Sequence, residues 1–393
     1  MHLYSYLDIA KLERHIKDGL VTVNHHKTLP LRQFTYTRAT ILENKWDDVT
    51  TKCRGLIVGP NQKIIARPFE KFFNFQTSYR PETHLANMPK TLPIVTEKID
   101  GSLGILYHFP ETFYWKIENG KEPTKIGDNY TGIATKGSFH SDHAVWATLH
   151  YLSQYKYAKW PVGYTPLFEI INEQIQHHII HYGCPGKLVL IGLVNNETGE
   201  EADYNTCYFW AKRNGMELVD IYGKTVEEVC TEDRINHEGY VLTWTRTGES
   251  PLKLKVKHEN FLAMQAIVHN ATPKAILAAL EDERYEQIKE WTTTVTGPVT
   301  NWIQGWVTRL TEAFNTTYAK AYHLYLDTGY VARIRKEFAE IVIGKAPELA
   351  NICFALLDRK KYKTAVWKVV KEQFKNQLAQ PFTTSTEVDE ELE

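Results

Sequence analysis

The residues Thr96-Glu97-Lys98-Ile99-Asp100-Gly101-Ser102-Leu103 place a lysine two positions before an Asp-Gly pair, just after the apolar run Leu92 to Val95. A short strand ending in a tight turn would present the Lys98 amine at the lip of a pocket. Asp100 and Gly101 suit such a turn, because Gly tolerates positive φ and Asp bonds its own backbone. An amine held this way becomes a nucleophile once its neutral form is favoured. Lys-x-Asp-Gly alone also describes ordinary surface turns, so it acquires meaning only from its company.

That company is an ordered set of stretches: Cys53-Arg54-Gly55-Leu56, Arg67-Pro68-Phe69-Glu70-Lys71-Phe72-Phe73-Asn74, Thr135-Lys136-Gly137-Ser138, Leu167-Phe168-Glu169, Glu238-Gly239-Tyr240-Val241 and Lys253-Leu254-Lys255-Val256-Lys257. They contain the parts needed to move a nucleotide through a lysine. A triphosphate asks for a divalent cation and for basic groups along its phosphates. Arg54, Lys71, Lys136 and the terminal lysines could supply the basic groups, and Glu169 and Glu238 could meet ribose hydroxyls or the metal. Lysines 253, 255 and 257 share one face of a strand, since side chains repeat every two residues. Turned inward beside Lys98, they would repel its protonated form. Taken singly, each stretch has a plainer reading: a protected edge strand, an exposed Glu, a turn, or core for Phe72-Phe73.

The elements that must position these residues are mostly short strands. β-like runs recur at Leu20 to Val23, Gln33 to Tyr36, Leu56 to Val58, Lys63 to Ala66, Gly104 to Tyr107, Thr112 to Ile117, Leu167 to Ile171, Lys187 to Val194, Glu238 to Thr245 and Leu252 to Val256. Gly59-Pro60-Asn61 and Glu118-Asn119-Gly120 are turn signals between them. Leu7 to Ile16 reads as a helix, as does His143 to Tyr157, where Val145, Leu149 and Leu152 fall at helical spacing. Near residue 259 the pattern turns helical. Thr272-Pro273 starts a helix carrying Ile276, Leu277, Leu280, Ile288 and Trp291, which Gly297-Pro298 ends. A longer one carries Trp302, Ile303, Trp306, Leu310, Phe314 and Tyr318. Arg333 to Ile343 and Lys363 to Phe374 also read as helices. The expected plan is α+β: a mainly antiparallel domain over residues 1–258, an all-helical domain over 259–380, and a disordered Thr- and Glu-rich tail over 381–393.

The 393 residues suit two domains, and 43% hydrophobic with 24% charged residues fits a globular chain. A net charge of −1 means that nucleic acid, if bound, must meet a local basic surface. The five scattered cysteines form no Cys-x-x-Cys pair, which argues against a zinc site or a disulfide framework and for a reducing compartment. No apolar run approaches a membrane span, and Met1 to Tyr6 lacks a secretory pattern, so a cytoplasmic location is expected.

The ordered set resembles the covalent nucleotidyltransferases, and within them the RNA ligase 1 type of tailed phages, over residues 50 to 260. The resemblance implies an ATP-dependent ligase joining an RNA 3′-hydroxyl to an RNA 5′-phosphate, with Mg²⁺ (Mn²⁺ as a substitute) as the metal. It implies that Lys98 takes AMP as a phosphoramidate, that Arg54 contacts the adenylate or the RNA end, and that Lys71 contacts the departing pyrophosphate. Glu169 would hold the ribose and Glu238 would help bind the metal, with Glu169 as a second metal candidate. Lys255 and Lys257 would meet the α-phosphate. Lys136 and Asp100 have no settled role beyond RNA contact. Nicked tRNA is a candidate substrate, and an end-healing kinase or phosphatase a candidate partner upstream. The segment His108 to Ala134 and the loop Arg246 to Pro251 are long for the family, and the second leaves open whether Lys253 or Lys257 pairs with Lys255. The rival readings are a DNA ligase, an RNA-capping guanylyltransferase and an RNA-binding protein with an inactive pocket.

Two further clusters lie outside this set. His177, His178 and His181 would point to opposite faces of a strand, which makes a shared metal awkward. Arg359 to Lys375, with Lys360, Lys361, Lys363, Lys368, Lys371 and Lys375, is either a phosphate-contacting surface or a solvated helix face.

Overall fold

The computed structural model describes residues 1–109, 130–172, 175, 179–246, 249–295 and 298–378. Two units result, Met1–Phe261 and a second that begins at Leu262. The strands of the first unit run in chain order as β1 (Val21–His25), β2 (Arg32–Tyr36), β3 (Arg54–Val58), β4 (Ile64–Ala66) and β5 (Phe73–Asn74). Next come β6 (Ile94–Lys98), β7 (Ser102–Phe109), β8 (Tyr130–Ala134), β9 (Tyr164–Ile171) and β10 (Lys187–Asn195). The last are β11 (Glu217–Leu218), β12 (Ile221–Tyr222), β13 (Gly239–Arg246) and β14 (Glu249–Lys257).

They form three sheets, ordered β1-β2-β3-β4, β11-β10-β9-β7-β8 and β12-β6-β13-β14-β5. Among the described residues only β10 with β11 and β14 with β5 pair in parallel. The unit is therefore mainly antiparallel, with helices set against its sheets. Alternation explains the layers. On β7, Leu103, Ile105, Tyr107 and Phe109 pack with Ile57 and Ala66 of the first sheet, whereas Leu106 faces the opposite side. There Ala147 and Tyr151 from the helix Asp142–Gln154, and Cys207 and Ala211 from the helix Tyr204–Asn214, cover the second sheet. In the third sheet Val95, Tyr240, Leu242, Trp244, Leu252, Leu254 and Val256 make the apolar face.

Several expectations change. The stripe Val145, Leu149 and Leu152 is exposed, and the helix buries His143, Ala144, Ala147 and Tyr151 instead. Small residues let this helix lie close to the strands, which hydropathy spacing does not reveal. The stretch Arg246 to Pro251 is not a long loop: β13 runs to Arg246 and β14 starts at Glu249. The strand expected at Thr112 to Ile117, residues His177 and His178, and the tail from 381 lie outside the described residues. The helix Tyr204–Asn214 lacked a readable apolar stripe because its buried face is only Cys207 and Ala211.

In the second unit every described element is helical, the longest being Pro298–Val331. Its core gathers Ile276, Leu280, Ile303, Trp306, Leu310, Val342, Ile352, Val366 and Trp367. The single helix expected from Pro273 to Gly297 is two, Pro273–Glu281 and Tyr285–Thr294, separated at Glu283, whose φ is 59°. The helix Ala350–Leu357 was not anticipated. In the basic stretch, Lys360, Lys363, Lys371 and Lys375 meet Asp358, Glu283, Glu281 and Glu372. Those pairs offset much of its charge. Among the described residues no helix is long and apolar enough to cross a membrane.

Candidate active site

Lys98 is the last residue of β6, which lies between β12 and β13. Register sets Lys98 opposite Gly239, and Gly239 opposite Lys257. The three form a row across adjacent strands, with Glu238 beside it. Glu238 is completely buried, and its Oε1 lies 2.5 Å from Lys98 Nζ and 3.4 Å from Lys257 Nζ. Neither Glu238 oxygen has a well-aligned hydrogen-bond donor, so charge holds the group in place. Gly239 makes the row possible. Its φ is 151°, and an added Cβ would strike the Val256 carbonyl oxygen.

The alternation on β14 sends Leu252, Leu254 and Val256 to the apolar face and the lysines to the other. Lys253 then leaves the group. It pairs with Glu201 and its Nζ sits 3.4 Å from the centroid of the Phe69 ring. Lys257, and not Lys253, joins the Glu238 cluster. Lys255 stands between them. Burial pushes its ammonium well below the ordinary lysine value, and the cations of Lys71, Lys98, Arg54 and Lys257 add to the effect.

Aromatic rings organise the remaining cations. Phe72 lies 5.6 Å from the Arg54 guanidinium and 5.1 Å from Lys255 Nζ. Lys71 Nζ sits 5.1 Å from Trp46, 5.4 Å from Phe73 and 5.9 Å from Tyr36, while Lys136 Nζ is 5.0 Å from Tyr36. Arg54, Lys71, Lys136 and Lys255 are all buried. Cation–π attraction of this kind contributes about 0.5–2 kcal/mol per contact and holds charges near one another. The Lys136 loop is fixed from below: buried Gln33 donates to the Thr135 carbonyl at 2.7 Å and Thr35 to the Lys136 carbonyl at 2.6 Å. Tyr36, Trp46 and Tyr182 carried no motif, and the sequence reading missed them.

The turn after Lys98 works differently from the expectation. Gly101 is not in the left-handed region; its lack of a side chain is needed because a Cβ would stand 2.7 Å from the Ile170 carbonyl and 2.8 Å from Glu169 Cγ. Asp100 reaches across the chain: its Oδ2 accepts from the Ile179 and Ile180 amides at 2.8 and 3.0 Å, and its own amide donates to Tyr182 Oη at 2.7 Å. Glu169, on β9 opposite Leu103, closes against Gly101. Asp100 thus acts as a clamp on residues 179–182. Replacing Gly101 by Ala should cost about 1–3 kcal/mol, since a backbone carbonyl cannot step aside. Urea denaturation measures it, and unchanged stability would show that the turn relaxes freely.

Behind the Lys71 segment a cavity of about 290 Å³ is lined by Arg67, Glu70, Glu201 and Lys253. Of the charged residues around it, which also include Lys71 and Glu82, Arg67 pairs with Glu70 and Lys253 with Glu201. Among the described residues no group of three or more His, Cys, Asp or Glu has the arrangement of a metal cage. Mg²⁺ does not require one, because it keeps several waters and is held through one or two carboxylates plus substrate phosphates. Glu238, buried with no aligned donor on either oxygen, fits that requirement.

No curated protein matches the chain. Among solved structures, an archaeal ATP-dependent RNA ligase is 12% identical with a TM-score of 0.49, covering 93% of this chain and 95% of that one. A variant of the Naegleria gruberi RNA ligase with ATP and Mn is 15% identical with a TM-score of 0.35, covering 51% of this chain and 59% of that one. Another variant of that ligase with ATP and Mn is 16% identical with a TM-score of 0.31, and the chain spans 50% of its length. The decisive match is a family model described as RNA ligase, of the phage type, over residues 52–262, more than half of the sequence. That span holds Arg54, Lys71, Lys98, Glu169, Glu238, Lys255 and Lys257, and the chain belongs to the RNA ligase family.

Proposed function

We propose that the protein is an ATP-dependent RNA ligase acting through lysyl-AMP. The observation that carries this is the row Lys98, Gly239, Lys257 with Glu238 at its side and the depressed Lys255 within the same cationic group. In the first step Lys98 Nζ, having lost a proton, attacks the α-phosphorus of ATP. A P–N bond forms as the bond to pyrophosphate breaks. An RNA 5′-phosphate oxygen then attacks the same phosphorus, and the lysine leaves, regaining a proton. Finally an RNA 3′-hydroxyl attacks the 5′-phosphorus of the adenylated end, loses its proton and expels AMP. Lys255 and Lys257 stabilise charge on the α-phosphate, Lys71 and Arg54 receive the outer phosphates and the adenylate, and Glu169 takes the ribose. Mg²⁺ or Mn²⁺ at Glu238, with Glu169 as second candidate, would neutralise phosphate charge.

The same reading assigns RNA choice to residues 259–380, with nicked tRNA as the substrate, an end-healing kinase or phosphatase acting first and the cytoplasm as location. Among the described residues the chain after β14 is helical, where a DNA ligase or a capping enzyme continues into a small barrel. The test is incubation with ATP labelled on its α-phosphate and Mg²⁺, followed by denaturing electrophoresis. Label should stay on the wild-type protein and be absent from Lys98→Ala. Sealing of nicked RNA hairpins and not of nicked DNA should follow. Preferential labelling by GTP, or label on Lys98→Ala, would overturn the reading.

A further inference from the structure

Glu97 and His237 immediately precede Lys98 and Glu238, and they meet on the reverse face of the third sheet. His237 Nδ1 lies 3.0 Å from Glu97 Oε1, and His237 Nε2 lies 2.9 Å from Arg234 Nη2. A guanidinium can only donate, so Nε2 must accept. Nδ1 then carries the single proton and donates it to the Glu97 carboxylate. The ring is thereby fixed as the neutral Nδ1–H tautomer. Arg234 is held in turn by the hydroxyls of Tyr222 and Tyr240, each at 3.5 Å, and Tyr222 Oη also reaches Glu97 Oε2 at 3.5 Å.

The loop that carries His237 is tied on its other side as well. Asn236, with φ of 59°, donates to the His181 carbonyl and accepts from the His181 amide, both at 2.9 Å. His181 sits next to Tyr182, whose hydroxyl receives the Asp100 amide. The turn of Lys98 and the loop before Glu238 are therefore joined twice, once through Asn236 and once through His237.

We infer that His237 is the positioning residue that sets Lys98 against Glu238, acting through Glu97 and without touching substrate. The inference rests on the covalent-lysine reading above. A nucleophile must stand about 3–3.5 Å from its target and in line, and a displacement of 1 Å costs on the order of 100-fold in rate. A hydrogen bond one residue behind Lys98 and one behind Glu238 controls that distance more directly than any contact farther along either strand.

Two substitutions separate a bond at the δ position from simple filling of space. Asn keeps a donor near the position of Nδ1, whereas Gln puts its amide near Nε2. His237→Asn should label with ATP within about threefold of wild type. His237→Gln should label roughly 10- to 100-fold more slowly at saturating ATP, with little change in KM for ATP. Glu97→Ala should match His237→Gln, and the double variant should lose no more than either. The ¹⁵N imidazole shifts of His237 in the wild-type protein should report the neutral Nδ1–H form, a readout that needs no activity. Equal labelling by wild type and His237→Gln, equal losses for Asn and Gln, or an Nε2–H ring would each overturn the inference. Failure of the wild type itself to retain label would instead sink the covalent-lysine reading, and the imidazole spectrum would still decide the tautomer.

Discussion

Replacing Lys255 with methionine is expected to raise the stability of the free protein by about 1–3 kcal/mol while slowing lysyl-AMP formation about 10²- to 10³-fold. The two effects have one cause. Lys255 is buried, and desolvation together with Lys71, Lys98, Arg54 and Lys257 works against its charged form. Methionine has nearly the same length, keeps the contact with Phe72 and brings no charge. In the free protein the substitution removes a cation from a cluster of cations. On the proposed mechanism it also removes a donor to the charge that gathers on the α-phosphate. Urea denaturation and single-turnover labelling measure the two halves. A less stable Lys255→Met protein would show that this lysine is held by partners stronger than the repulsion around it.

The pH dependence follows with a definite sign. Lys255 has a folded-state value below its unfolded one. Below the folded value both states hold the proton and the destabilisation is fully present. Between the folded value and the ordinary lysine value the unfolded chain binds more protons, so wild-type stability rises with pH. The advantage of Lys255→Met should shrink through that window and disappear above it.

Much of this site was legible because motif chemistry is local. Lys98, Glu238, Lys255 and Lys257 sit at strand ends or alternate along a strand, and two-residue periodicity alone turns the β14 lysines away from Leu252, Leu254 and Val256. What periodicity could not supply was partner choice across the sheet. Lys253 shares the face of Lys255 and Lys257, yet Glu201, which follows β10, takes it away. The expectation that lysines 255 and 257 would crowd Lys98 with positive charge left out Glu238, whose carboxylate lies 2.5 Å from Lys98 Nζ. Helices covering a sheet with small residues, such as Ala147 and Ala211, were equally hidden, because their buried faces do not read as hydrophobic stripes. Asp100 looked like a turn residue, but its partners are 79 and 80 positions away.

Glu238→Ala should lose about 3–5 kcal/mol, the cost of breaking a buried ion-pair cluster. The Glu238 side chain is fully buried and stands between two ammonium groups, Lys98 at 2.5 Å and Lys257 at 3.4 Å. Removing it leaves those cations facing each other beside Lys255 with no buried anion between them. If that is the mechanism, removing Lys98 as well should return part of the loss. Lys98→Met alone strands Glu238 with only the more distant Lys257, so it too should destabilise. The double variant should then be more stable than the sum of the singles predicts, by about 1–3 kcal/mol. Urea denaturation of the four proteins yields that coupling directly. Additivity within about 0.5 kcal/mol would mean that the pair is too well solvated to matter. A strong coupling would mean that the free protein holds Lys98 as an ammonium locked to Glu238, a pair that the proposed mechanism requires to open before Lys98 attacks ATP.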